Sequence, residues 1–133
     1  MNSFGTERTH RIAAPFRKAV RQVRSALAGA GLELAGEWDE ADAGGRCKVL
    51  LVDSPLLLLQ ALVLDRAAAV YLPVHVVLRS KDGETQAAIV SPAGLPGTRL
   101  PTGAAGPIAR TQAQITEVLA ALETESARAQ RAD

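Results

Sequence analysis

One cysteine in 133 residues, Cys47, cannot close an internal disulfide, so the fold does not depend on an oxidising compartment. Aromatic residues are only 3% of the chain, which leaves little material for stacking nucleobases. Charge of one sign is also missing. Fifteen Lys and Arg stand against fourteen Asp and Glu for a formal net charge of +1, so global electrostatics specify neither a nucleic-acid protein nor an acidic one. Met1 to Phe16 has no apolar stretch of the signal-peptide kind, and with the lone thiol this predicts a cytoplasmic protein. The longest greasy stretch, Pro55 to Leu78, is broken by Gln60, Asp65, Arg66, Pro73 and His75, which predicts core and no membrane span. What is present is 47% apolar and 22% charged residues, a globular composition. A chain of this size buries about two thirds of its surface on folding, enough for one domain without staples.

The elements follow from periodicity. Thr9 to Ala13 can extend as a strand, and Pro15 suits the first turn of a helix. Phe16, Val20, Val23, Leu27 and Ala30 recur at helical spacing, with Gly29 and Gly31 to stop the helix. Leu32 to Trp38 alternates, placing Leu32, Leu34, Gly36 and Trp38 on one face of a half-buried strand, and Asp39 to Gly45 reads as a turn. Cys47 to Val52 is a short apolar run of the buried-strand kind, and Ser54-Pro55 opens a helix to about Asp65 that is apolar on nearly every side. Tyr71 to Ser80 and Thr85 to Val90, joined through Asp82-Gly83, predict a β-hairpin. Ser91 to Pro107 holds too many prolines and glycines for a regular element, and a helical stripe then runs from Ile108 to about Ala121.

The order β-α-β-β-α-β-β-α predicts an α+β two-layer sandwich, one mainly antiparallel sheet packed by helices. The domain spans 9–122, with the Pro/Gly-rich loop at 91–107, a flexible segment at 1–8 and a tail at 123–133.

Lys48-Val49-Leu50-Leu51-Val52-Asp53-Ser54-Pro55 before a Leu-rich helix, then Tyr71-Leu72-Pro73-Val74-His75-Val76-Val77, a hairpin, and Ile89-Val90-Ser91-Pro92 carry a resemblance. In order and spacing the chain resembles the domain of unknown function 302 family, from Ala14-Pro15-Phe16 through the closing helix. The resemblance implies a small cytoplasmic bacterial or archaeal α+β domain that tends to homodimerise, with no established general activity. The chain departs from the family pattern where it has Asp53-Ser54 and Val74-His75 in place of two Cys-Asn pairs, and where a helical insert shrinks to Glu40–Arg46. No thiol or metal role carries over to those positions.

Several groupings have the atoms for chemistry, and each has a plainer reading. Asp53, Ser54 and His75 supply a carboxylate, a hydroxyl and an imidazole, the parts of a nucleophilic relay for a hydrolase or isomerase. Placed where a strand meets a helix, Asp53 and Ser54 equally suit an anion or simple capping. His75 is a candidate base or ligand, or a hydrogen-bonded sheet residue. Two histidines and one cysteine without ligand spacing supply no metal signature, no cofactor motif is present, and Cys47 reads as an inert buried thiol. Arg8, Arg11, Arg17, Lys18, Arg21 and Arg24 run without an acid among them, and Arg17, Arg21 and Arg24 share a helix face able to meet phosphates. Glu33, Glu37, Asp39, Glu40 and Asp42 lie just downstream and can balance that face, which argues against nucleic acid as the partner.

The expectation is a non-enzymatic, homodimeric module that binds a small anionic or partly apolar ligand near Asp53, Ser54, His75 and Arg99. The relay through His75 and nucleic-acid binding through the first helix are the alternatives.

Overall fold

The computed structural model describes residues 8–42, 45–54, 59, 74–90 and 105–132. Five strands form one antiparallel sheet: β1 (Thr9–Ile12), β2 (Glu33–Asp42), β3 (Gly45–Asp53), β4 (Val74–Lys81) and β5 (Glu84–Val90), in spatial order β1-β5-β4-β3-β2. Helices α1 (Phe16–Gly29) and α2 (Ala105–Ala132) pack on the same side of it, giving the α+β architecture of the sequence reading. The helix expected from Pro55 lies outside the described residues apart from Leu59. So do Arg99 and most of the Pro/Gly-rich loop.

Strand alternation decides the two faces of the sheet. Val74, Val76 and Leu78 on β4, Leu50 and Val52 on β3, and Ala87 and Ile89 on β5 point toward the helices and are buried. Against them α1 sets Ala19, Val20, Val23 and Leu27, and α2 sets Ile115 and Leu119. Phe16 is half-buried at the edge of this core. Leu27 alone buries enough apolar area to contribute roughly 2 kcal/mol.

The end of α1 shows how the sequence stops a helix. Gly31 takes φ +81°, its N–H donates to the Ala28 carbonyl and the Leu32 N–H reaches back to Leu27 at 3.0 Å. Leu27 and Leu32 are both buried, completing a Schellman motif with its apolar contact. At the other end Pro15 occupies the N-cap, one position earlier than its predicted place inside the first turn. Between β4 and β5, Asp82 and Gly83 both adopt positive φ, as a two-residue type I′ hairpin requires.

Three expectations need correction. Asp39 to Asp42 are strand, and so is Gly45, so that most of the predicted turn belongs to β2 and β3. Asp39 and Glu40 point to opposite sides of an edge strand and are both exposed, so these polar residues show no alternation to read. The last helix runs past Ala121 to Ala132, and within the expected tail Glu123 binds β1 while Ser126 accepts from the Ala13 N–H just after it. The third correction concerns β2, whose register against β3 shifts between Leu34 and Gly36. Leu34 pairs with Val52 on the helix side, whereas Gly36 pairs with Leu51 and Trp38 with Val49 on the outer side. The four residues read as one face are therefore split by a bulge, and a one-residue slip reverses every side chain beyond it. Trp38 comes to lie 40% exposed on the outer face.

Candidate functional site

The bulge in β2 builds one wall of a cleft. By reversing the strand it turns Glu37 and Asp39 toward α1 and β3. The Arg24 guanidinium forms a bidentate pair with Glu37, and Lys48 Nζ lies 3.5 Å from Glu37 and 3.2 Å from Asp39. The Arg24 hydrogen bonds hold the Glu37 carboxyl below the usual glutamate range, overcoming the opposing effect of burial, with Lys48 helping. The acidic run downstream of α1 thus does face the basic helix, at this one point.

Arg17, Arg21 and Arg24 follow helical spacing along α1 and line a cleft of about 560 Å³ between that helix and the β2–β3 hairpin. Arg46 and Lys48 enter it from β3 and Asp39 from β2, with Glu40 at its border and the Glu40 carboxylate turned to Trp38 on the outer face. Phe16 and Val20 give it an apolar floor. The Arg46 guanidinium carbon lies 5.8 Å from the centre of the Phe16 ring, a cation–π contact, and the Arg46 N–H donates to Ser80 Oγ at 2.9 Å. Gly45 precedes it at φ +132°, where an added Cβ would come within 2.8 Å of Ser80 Oγ, so only glycine lets the strand start this way. Among the described residues Arg17, Arg21 and Arg46 have no carboxylate partner. Arg17 also sits in the first turn of α1, which contains no acidic residue and where the helix dipole disfavours a cation.

Arg46 and Lys48 were not among the residues singled out from the sequence. Their signal was present: they lie four and two residues before Leu50, and strand alternation then puts both on the face of Leu50 and Val52.

The second candidate grouping lies elsewhere, on the outer face of the sheet and at its β3 end. Asp53 ends β3 and Ser54 follows it, buried. His75 pairs in register with Leu51, so Asp53 is its diagonal neighbour on that face. The His75 ring meets Trp38 edge-on, with centroids 6.1 Å apart, and Trp38 Nε1–H donates to Glu40 at 2.6 Å. No hydrogen bond among the described residues joins any two of Asp53, Ser54 and His75. Among the described residues Asp53 Oδ1 is buried and has no hydrogen-bond partner, and burial together with the Glu33 charge pushes its carboxyl up. A relay needs the missing links, and a carboxylate beside a second carboxylate repels an anion.

Arg8, Arg11 and Glu123 form a third polar group, where α2 meets β1. Arg8 pairs with Glu123 at 2.8 Å, the Arg11 N–H donates to the same carboxylate at 3.2 Å, and the buried His10 Nδ1 lies 3.3 Å from it. Arg11 pairs separately with Glu84. Among the described residues no group of three or more His, Cys, Asp and Glu is placed to hold a metal ion, and no helix is long and apolar enough to cross a membrane.

The chain resembles the crystal structure of an uncharacterized conserved DUF302 protein from Bacillus stearothermophilus, with TM-score 0.59 and 16% identity over 96% of this chain and 95% of that one. At that identity the likeness is one of fold. A search of the curated proteins finds no match. The model of the domain of unknown function DUF302 matches residues 8–122, the span from the start of β1 to the middle of the last helix, and on that match the chain belongs to the DUF302 family.

Proposed function

We propose that the protein is a non-enzymatic binding module whose small anionic ligand sits in the cleft between α1 and the β2–β3 hairpin. The observation that carries this reading is that Arg17, Arg21 and Arg46 line one cleft and lack carboxylate partners among the described residues. Cations gathered without counter-charges repel one another, and an anion among them relieves that repulsion. The cleft volume is in the range of small-molecule sites. The long basic run does not act as one patch for nucleic acid, because Arg8, Arg11 and Arg24 are engaged by Glu123, Glu84 and Glu37. This reading moves the anion away from Asp53 and Ser54, where the described residues bring carboxylates together.

Isothermal titration with pyrophosphate tests it. Wild-type protein binds at low salt and more weakly as salt rises, and Arg17→Ala/Arg21→Ala loses at least about tenfold in affinity. A wild type that takes up no pyrophosphate, or a double variant that binds it equally well, overturns the reading.

Homodimerisation belongs to the same proposal. Leu59 leaves 60% of its surface exposed within the Leu-rich run that the sequence makes apolar on nearly every side, and such surface suits a subunit contact. Native mass spectra at two concentrations are expected to show a dimer that grows with concentration. A monomer at both removes it.

A further inference from the structure

Building on the anion-binding reading, we propose that the ligand is a phosphate monoester whose organic part carries hydroxyl groups, of the sugar-phosphate or polyol-phosphate class. Three features of the cleft lead there: its charge surplus, its two unlike walls and its size.

The surplus sets the charge of the ligand. Five cations, Arg17, Arg21, Arg24, Arg46 and Lys48, line the cleft and meet two carboxylates on its side of the sheet, those of Glu37 and Asp39, which leaves three positive charges uncompensated. A phosphate monoester, close to a dianion at neutral pH, offsets two of these three charges, whereas a single carboxylate or a sulfate ester offsets only one. The unpaired cations are guanidiniums, whose forked donors suit phosphate oxygens.

The walls set what is attached to the phosphate. The α1 side presents donors only, through Arg17 and Arg21. On the β2 side, Asp39 remains 78% exposed and has Lys48 as its one ion-pair partner among the described residues. An ionised carboxylate with free lone pairs accepts hydrogen bonds and donates none, so Asp39 selects hydroxyl groups. Seven of the eleven lining residues are charged, which disfavours an alkyl or aryl tail in the same place. The volume of about 560 Å³ exceeds what an inorganic anion fills and leaves room for the polyol portion.

The test titrates wild type, Asp39→Asn and Arg17→Ala/Arg21→Ala with glucose 6-phosphate, ribose 5-phosphate, glycerol 3-phosphate, n-butyl phosphate and inorganic phosphate. At least one of the three hydroxylated esters is expected to bind about tenfold more tightly than n-butyl phosphate. Asp39→Asn abolishes that advantage while binding inorganic phosphate at least as well as wild type, because the substitution removes a negative charge from the cleft. General damage to the site would weaken both, so the opposite signs identify a direct contact. Equal binding of n-butyl phosphate and all three hydroxylated esters, or an advantage that survives Asp39→Asn, overturns this proposal and leaves the anion reading standing. Failure of every phosphate to bind overturns both. Asp39 is exposed and Lys48 keeps Glu37 as a partner, so the variant is expected to melt near the wild-type temperature.

Discussion

At the residue scale, Asp53 is a costly position outside the cleft. A buried carboxylate oxygen without a hydrogen bond costs about 1 kcal/mol or more, and burial with the nearby Glu33 raises its pKa above the ordinary aspartate value of 3.8. The sign of the pH effect follows. A carboxyl that holds its proton more tightly when folded contributes stability that is complete below 3.8 and is lost as pH rises through the higher folded value. Asp53→Asn is therefore expected to stabilise the protein by about 1 kcal/mol at neutral pH, with the gain vanishing in acid below the free-aspartate value. Urea unfolding at the two pH values checks it, and a variant less stable than wild type at neutral pH would show that the carboxylate has a partner after all. The location of this strained group was legible, since Asp53 and Ser54 close an apolar strand. Its lack of a partner was not, because that depends on which side chains the sheet brings beside it.

Among the elements, α2 and β1 depend on each other through Glu123. Burial pushes this carboxyl up, but the hydrogen bond from the Arg11 N–H, with His10 and Arg8, outweighs it and holds the group below 4.5. A depressed carboxyl contributes stability that is present above 4.5 and is lost as pH falls through the folded value. Glu123→Gln is expected to cost about 1 kcal/mol at neutral pH, with the two proteins converging in acid, as thermal melts across that range will show. An unchanged melting temperature at neutral pH would mean that β1 is held by its sheet pairing alone. Nothing in residues 123–133 announced this. The segment is rich in Ala and charge, its apolar stripe fades after Leu122, and its role is carried by one carboxylate and one hydroxyl. By contrast α1, with strong periodicity and a glycine stop, was legible to within a residue or two. Strand β2 stands between these cases. Its alternation was visible, but a bulge adds one backbone residue without a mark in composition, and that residue decides whether Glu37 faces water or Arg24.

For the whole molecule, the architecture followed from period and order: two helical stripes, apolar or alternating strands, and an Asp-Gly turn admit few arrangements other than helices on one face of an antiparallel sheet. The cleft was legible only in half. The arginines of α1 announced themselves as a stripe, while Arg46, Lys48 and Asp39 belong to a hairpin whose reach depends on the extent of β2 and β3. The sheet also has an unusual seam. Strands β2 to β5 follow one another as neighbours, but β1 joins at the far side, pairing Thr9 with Ala88 and Ile12 with Thr85, and is locked there by Glu123.

That seam sets an order of events in time. A chain emerging from the ribosome delivers β1 first, yet its hydrogen-bonding partner comes more than seventy residues later and its lock more than a hundred. Until β5 is made, the first strand has an unpaired backbone and must wait, while the consecutive strands can pair as they appear. Loops of that length close slowly, so the pairing of β1 with β5 is expected to come after that of the consecutive strands. During that interval β1 and the free edge of β5 are each open to the matching strand of a neighbouring chain, and exchange between copies competes with completion of the monomer.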